Sequence, residues 1–393
     1  MIKREMYLAK IRGFIDSDLI KIITGIRRCG KSIILEQIKE EIAKNSSNII
    51  YLDFENRRTR KTIPNADALL DYVDTTKDKN NKCYIFLDEV QNLTDWADAC
   101  KTLRLENNSV FITGSNSKLL SGEFTKELSG RYVSFRIRPF VYKEIKEYAK
   151  ELGKEYSVGD YLIWGGFPKS LEYDGNEKTA YLQDLEETII HNDLVVRYGI
   201  KKDDLFRSVC DFVFRSNSRI ISAKSIADYI KANNEQCSLH TIVKYISYLE
   251  EAFGIDKIKP YSTKVKRDLA YYYKVYNADV CFNSLRVENN RYDLDHNLEN
   301  IVYNELVYRG YDINVFKYEN DEVDFRATKN GKVHYIQVAY SVLDEKAYKR
   351  EFKAFNKMDY TYDKVLITND EIDYTTSMVR HIKLKDFLEL EEL

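Results

Sequence analysis

The chain has 393 residues, of which 44% are hydrophobic and 32% charged, and its formal net charge is −2. That length suggests about two to four domains. The near-neutral balance excludes a global basic field for nucleic acid, and no apolar run approaches the ~20 residues that cross a bilayer. The six cysteines form no C-x-x-C pair and no cluster with the five histidines, so reduced thiols packed in cores are expected, not disulfides or zinc. Met1-Ile2-Lys3-Arg4-Glu5 runs into charged, helix-like sequence and not an apolar export segment, so a cytoplasmic location is expected.

In chain order, Tyr7-Leu8-Ala9-Lys10-Ile11-Arg12-Gly13-Phe14 reads as an amphipathic helix beside the site that follows. Leu19-Ile20-Lys21-Ile22-Ile23 is β-rich and runs into Gly25-Ile26-Arg27-Arg28-Cys29-Gly30-Lys31-Ser32. From Ile33 onward, apolar residues at 34, 35, 38 and 42 give helical spacing. Strand, G-x-x-x-x-G-K-S and helix, in that order, form a phosphate-binding loop. Gly25 and Gly30 let backbone N–H groups curl inward, and the helix N-terminus adds partial positive charge. Gly25, Ile26, Arg27, Arg28, Cys29, Gly30, Lys31, Ser32 and Ile33 are therefore the expected ATP-binding residues, with Lys31 on the β- and γ-phosphates and Ser32 on Mg²⁺.

Asn48–Phe54 is a strand whose Asp53 and Glu55 read as a solvated strand end. Lys82-Cys83-Tyr84-Ile85-Phe86-Leu87-Asp88-Glu89 is an apolar strand ending in two acids, the Walker B arrangement. Asp88 would hold Mg²⁺, and Glu89 would act as general base on water. Past the strand Ser109–Thr113, Asn116 is the candidate γ-phosphate sensor and Ser115 the second choice. In Leu128-Ser129-Gly130-Arg131-Tyr132, Arg131 is the candidate catalytic arginine, acting in cis or from a neighbouring subunit of a homo-oligomer. A structural salt bridge competes with that role, and so do Arg27 and Arg28.

Alternating strands and helices with acids at the strand ends predict an α/β, doubly wound, mostly parallel sheet. The stretches GIRRCGKS, YIFLDEVQN, FITGSNS and LSGRY resemble, in that order, the prokaryotic AAA-type P-loop ATPase family whose members carry a nuclease-like C-terminal domain. The resemblance implies an additional strand between the P-loop strand and the Walker B strand. The chain reads as four modules: an ATPase core over 1–139, a helical lid over 140–200, a winged helix over 201–287 and a nuclease-like domain over 288–393.

The lid contains Trp164-Gly165-Gly166-Phe167-Pro168, similar to the family's Y-G-G-F-P turn, with Trp164 and Phe167 expected to pack. Within 201–287, helices over 222–230 and 239–249 precede strands 255–258 and 271–275 around a basic tip, which reads as a winged helix. Positions 239, 242, 243, 246 and 249 are assigned to the buried face. Thr241, Lys244, Tyr245 and Tyr248 are left for DNA, with Lys264, Lys266 and Arg267 for phosphate. Double-stranded DNA and protein docking both remain open as partners.

In the C-terminal part, Glu322-Val323-Asp324-Phe325 and Tyr335–Tyr340 resemble the PD-(D/E)XK nuclease core. Asp324 matches the first acid and Glu299 an auxiliary one. Gln337 and Ala339 stand where the pattern has its E-x-K residues, so a nuclease-like fold without nuclease activity is expected. An ATP-hydrolysing switch or motor is therefore favoured over an ATP-licensed DNA nuclease or defence effector.

Overall fold

The computed structural model describes residues 2–115, 130–233, 235–261, 272–318 and 321–393. Two compact units divide the chain: residues 1–139 with 251–253, and residues 140–250 with 254–393.

In the first unit, α1 (Glu5–Arg12) precedes β1 (Ile20–Thr24) and α2 (Lys31–Ala43). Then come β2 (Ile49–Asp53), α3 (Arg57–Thr62), α4 (Ala66–Thr76), β3 (Tyr84–Asp88), α5 (Trp96–Leu105), β4 (Ser109–Gly114) and β5 (Tyr132–Arg136). The strands form one parallel sheet in the order β2-β3-β4-β1-β5. β4 therefore separates the P-loop strand β1 from the Walker B strand β3, as the resemblance implies. β1 and β4 are buried along their whole length, which explains their near-continuous apolar sequence. Ile22, Ile50, Ile85, Leu87, Val110 and Ile112 pack with α4 and α5 into one core. Thr24 pairs with Gly114 and Arg136, and Asp53 pairs with Asp88. The loops after β1, β2, β3 and β4 thus leave from one sheet edge, where ligands bind in open α/β sheets.

The second unit begins with α6 (Tyr142–Glu151), α7 (Val158–Trp164) and α8 (Gly175–Thr188), which runs on into a π-helical stretch Ile189–Val196. The W-G-G-F-P turn is packed as expected. Phe167 is fully buried against Phe282, and Trp164 meets Tyr292 edge-on. Next come α9 (Asp203–Arg215), β6 (Arg219–Ser222), α10 (Ala223–Ala232), α11 (Leu239–Glu251), β7 (Ile255–Ile258) and β8 (Tyr272–Asn277). The three strands pair antiparallel in the order β6-β8-β7. On α11 the buried stripe is Ile242, Tyr245, Ile246 and Leu249, while Leu239 and Val243 are exposed. This corrects the expected face by a rotation of the helix. Tyr245 is buried and packs edge-on against Phe206, so its ring is not presented outward, while the half-buried Tyr248 stacks on Tyr198 at 3.7 Å. Lys244 is exposed; Lys264, Lys266 and Arg267 lie outside the described residues.

The chain continues with α12 (Leu294–Tyr308), β9 (Asp312–Tyr318), β10 (Asp321–Lys329), β11 (Lys332–Ala339), α13 (Glu345–Lys357), β12 (Asp363–Thr368), β13 (Arg380–Lys383) and α14 (Leu384–Glu389). The mixed sheet runs β13-β12-β11-β10-β9, with β9 to β11 antiparallel and β11 to β13 parallel. Among the described residues, no helix is long and apolar enough to cross a membrane.

Candidate functional site

The loop after β1 is shaped by close approach as much as by its glycines. Gly25 has φ +147°, and a Cβ there would lie 2.1 Å from the Ile137 carbonyl oxygen. Gly30, at φ +99°, is the left-handed residue that opens α2, and Arg28 is also left-handed. Arg4, fully buried, clamps the loop from outside: Nη1 donates to the Cys29 carbonyl (3.0 Å) and Nη2 to that of Arg138 (3.0 Å). Burial also raises the pKa of the Cys29 thiol, which is therefore a packing group. Lys31 is buried at the start of α2 and donates to the Gly25 (3.2 Å) and Ile26 (3.3 Å) carbonyls. Its ammonium also lies 3.6 Å from Glu89 Oε1.

The two acids at the end of β3 are held by residues from neighbouring strands. Thr113 of β4 is fully buried; its hydroxyl donates to Asp88 Oδ1 and accepts the Glu89 N–H (2.8 Å). The Tyr51 phenol donates to Asp88 Oδ2 (3.1 Å). Burial, followed by the charge of Asp88, pushes the Tyr51 pKa well up, so the phenol keeps its proton. Glu89 has left-handed backbone, φ +49°, and its carboxylate accepts from the Gln91 amide. A non-glycine residue held at positive φ beside a functional loop is a constraint the surroundings must enforce. Thr113, Tyr51, Gln91 and Arg4 carry no motif of their own, and sequence reasoning missed them.

The polar atoms fit a phosphate ligand and its metal. Thr24 Oγ1 and Ser115 Oγ, at the ends of β1 and β4, are buried and have no hydrogen-bond partner among the described residues. Such groups are costly unless a ligand satisfies them. Ser32 follows Lys31 at the start of α2, and Asp88 is buried at the tip of β3. Asn116 lies outside the described residues; Ser115 is placed at the edge of the site. Asp53 accepts the Glu55 N–H (2.7 Å), and Glu55 pairs with Arg27 at 3.8 Å, consistent with a solvated strand end.

Arg131, the candidate arginine in cis or in trans, lies just before the start of β5. Its carbonyl accepts the N–H of Ile20, the first residue of β1 (3.0 Å). The P-loop begins after Thr24 at the opposite end of that strand, and four residues of strand span about 13 Å. The Arg131 backbone is therefore at the sheet edge away from the P-loop of its own chain. Arg136, paired with Thr24, occupies the near edge instead.

In the second unit, the Gln337 side chain accepts weakly from the Asp324 N–H (3.4 Å) and donates to Glu351 (2.7 Å). Ala339 belongs to the apolar core with Phe352 and Phe355. Neither position offers the charge of an E-x-K pair.

A profile for an AAA domain matches residues 17–146, and one for a domain of unknown function matches residues 155–287. An uncharacterized protein of Haemophilus influenzae is 32% identical over 385 residues, covering 95% of each chain. An uncharacterized protein of Methanocaldococcus jannaschii is 32% identical over 376 residues, covering 90% of this chain and 82% of that one. The fold is similar to that of the Walker-type ATPase of Pyrococcus abyssi, with a TM-score of 0.50 at 16% identity over 73% of this chain and 96% of the other.

Proposed function

The chain belongs to one family with its Haemophilus and Methanocaldococcus relatives and carries an AAA-type P-loop domain, and from that premise we propose that it binds ATP with Mg²⁺ and hydrolyses it. The observation that carries this reading is the Asp88–Glu89 pair, held by Thr113 and Tyr51 on the same sheet edge as the P-loop, with Lys31 3.6 Å from Glu89. Lys31 would exchange its carbonyl partners for phosphate oxygens, a stronger charge-assisted bond. Ser32 and Asp88 would hold Mg²⁺, which when bound neutralises charge across the β- and γ-phosphates. Glu89, positioned by Gln91 and by its own N–H on Thr113, would accept the proton of the attacking water. Ser115 replaces or joins Asn116 as the group that senses the γ-phosphate. Arg131, remote from its own P-loop, is a finger for a neighbouring subunit.

The hydrolysis cycle would work as a switch read out by the second unit. Residues 203–277 have the order helix, strand, helix, helix, strand, strand, with the first strand next to the last, which supports a winged helix. Residues 294–368 have the order α-β-β-β-α-β, which supports a nuclease-like fold; Gln337 and Ala339 argue against cleavage. The exposed face of α11 mixes Leu239 and Val243 with Lys244, a composition closer to a protein-docking surface than to a phosphate-binding one. DNA is the alternative partner.

The test is a pair of variants. Lys31→Ala should lose ATP binding, and Glu89→Gln should retain binding but stop turnover. Normal hydrolysis by Glu89→Gln would remove the base assignment.

A further inference from the structure

The second unit buries a lysine that the nucleotide chemistry does not use. Lys274 sits in the central strand β8, opposite Ile220 of β6 and Ile258 of β7, and its side chain is 5% exposed. The ammonium reaches out of the three-stranded sheet to three carboxylates. It lies 2.8 Å from Glu299 Oε1 on α12, 2.9 Å from Asp324 Oδ1 and 3.2 Å from Glu322 Oε1, both on β10. An ammonium has three N–H donors and no acceptor, so each carboxylate can take one.

The second lone pairs are also engaged. The Tyr276 phenol donates to Glu299 (2.7 Å), and the Val338 N–H donates to Asp324 Oδ2 (3.0 Å). Two positions along β8, the Tyr276 ring stacks on Tyr303 at 4.2 Å, and the Tyr303 phenol in turn donates to Asp256 of β7 (2.9 Å). Burial alone would lower the lysine pKa, but Asp324, Glu299 and Glu322 together hold it well above the usual range. Opposite charges buried this far persist only when paired and hydrogen-bonded.

We propose that this pocket is a cation site whose cation is built into the chain: the Lys274 ammonium is its permanent counter-ion, tying β8 to α12 and β10 and shutting divalent metal out. Acids drawn round one cation from two elements are what a metal would require. The assignment stands apart from the nucleotide reading, which the Lys31 and Glu89 variants test separately.

The experiment titrates Mn²⁺ into the nucleotide-free full chain and follows free Mn²⁺ by electron paramagnetic resonance. Native protein should show no binding that Asp324→Asn removes. Lys274→Ala should gain one Mn²⁺ per chain, bound at least about tenfold more tightly than by the native protein. The gain should disappear in Lys274→Ala/Asp324→Asn. Asp324-dependent Mn²⁺ binding by the native chain, or a folded Lys274→Ala chain that gains none, overturns the proposal. If Lys274→Ala does not fold, circular dichroism of Lys274→Met/Glu299→Gln/Asp324→Asn decides. Restored folding supports a counter-ion, because the two buried charges closest to it are gone and only the more exposed Glu322 remains; continued failure to fold overturns it.

Discussion

Thr113→Val is the sharpest test of how the nucleotide site is built. Valine keeps the shape of threonine in a fully buried position and removes only the hydroxyl. That hydroxyl makes two bonds, to the Asp88 carboxylate and from the Glu89 N–H. Stranding a buried N–H costs about 1–3 kcal/mol, and losing a bond to a charged group about 1.5–3 kcal/mol. The two losses share one group, so a combined effect of roughly 2–4 kcal/mol is expected, non-additively. In the thermal midpoint this is a fall of at least about 4 °C for a domain of this size. The consequence for turnover is larger, because Glu89 is held at positive φ and relaxes when its N–H loses Thr113. A displacement of about 1 Å in a catalytic group costs on the order of 100-fold. Steady-state ATPase assays should therefore show kcat down roughly 10- to 100-fold, with nucleotide affinity nearly unchanged because the P-loop contacts remain. Thr113→Ser loses one methyl, about 0.8 kcal/mol, but keeps both bonds and should recover turnover. Turnover by Thr113→Val within about twofold of native, which is less than half a kcal/mol, would refute the positioning role.

Two further predictions concern stability. Burial chiefly, and Lys82 next, pull the Lys21 pKa down to about 7 in the folded chain, whereas an unfolded lysine titrates near ~10.4. Between those values the unfolded state binds more protons, so stability should rise with pH from 7 to 10, by at most ~1.4 kcal/mol per unit. Urea unfolding at pH 7, 8 and 9 should show that slope in the native chain and a flatter one in Lys21→Met; equal slopes would refute it. Gly165 has φ +68°, and a Cβ there would fall 1.6 Å from Asp279 Oδ1, a carboxylate already bonded to the Gly166 and Cys281 N–H groups. Gly165→Ala should cost on the order of 3 kcal/mol or more, and a melting point within 1–2 °C of native, under about 1 kcal/mol, would contradict the packing described.

What the sequence made legible follows from where each signal lives. The P-loop and the Asp88–Glu89 pair were readable because their chemistry fixes residue type and spacing within a few positions. Thr113 and Tyr51 were not, since their partner Asp88 is 25 and 37 residues away and only the parallel register of β2, β3 and β4 joins them. Arg131 was legible as a residue but its distance from the P-loop was not, because that rests on the pairing of β5 beside β1. On α11, helical spacing permits a stripe through 239, 242, 243 and 246 or one through 242, 245, 246 and 249. Hydropathy favoured the first; the larger Tyr245 ring, with Phe206 to pack against, settled the second. Lys274 carries no signal in the sequence, because burial of a charge is a property of its neighbours.

The two buried lysines make the point that residue type underdetermines role. Lys31 rests on two backbone carbonyls at 3.2 and 3.3 Å, with Glu89 only within 3.6 Å. Neutral acceptors are weaker partners than anionic ones, so a triphosphate can displace them at a gain. Lys274 already has three carboxylates within 3.2 Å and is as deeply buried. No incoming anion offers it more, and removing it strands several charges at once. A lysine left on neutral acceptors is poised for an anionic ligand, whereas one saturated by carboxylates is committed to the fold. By that criterion Lys31 belongs to the chemistry and Lys274 to the architecture.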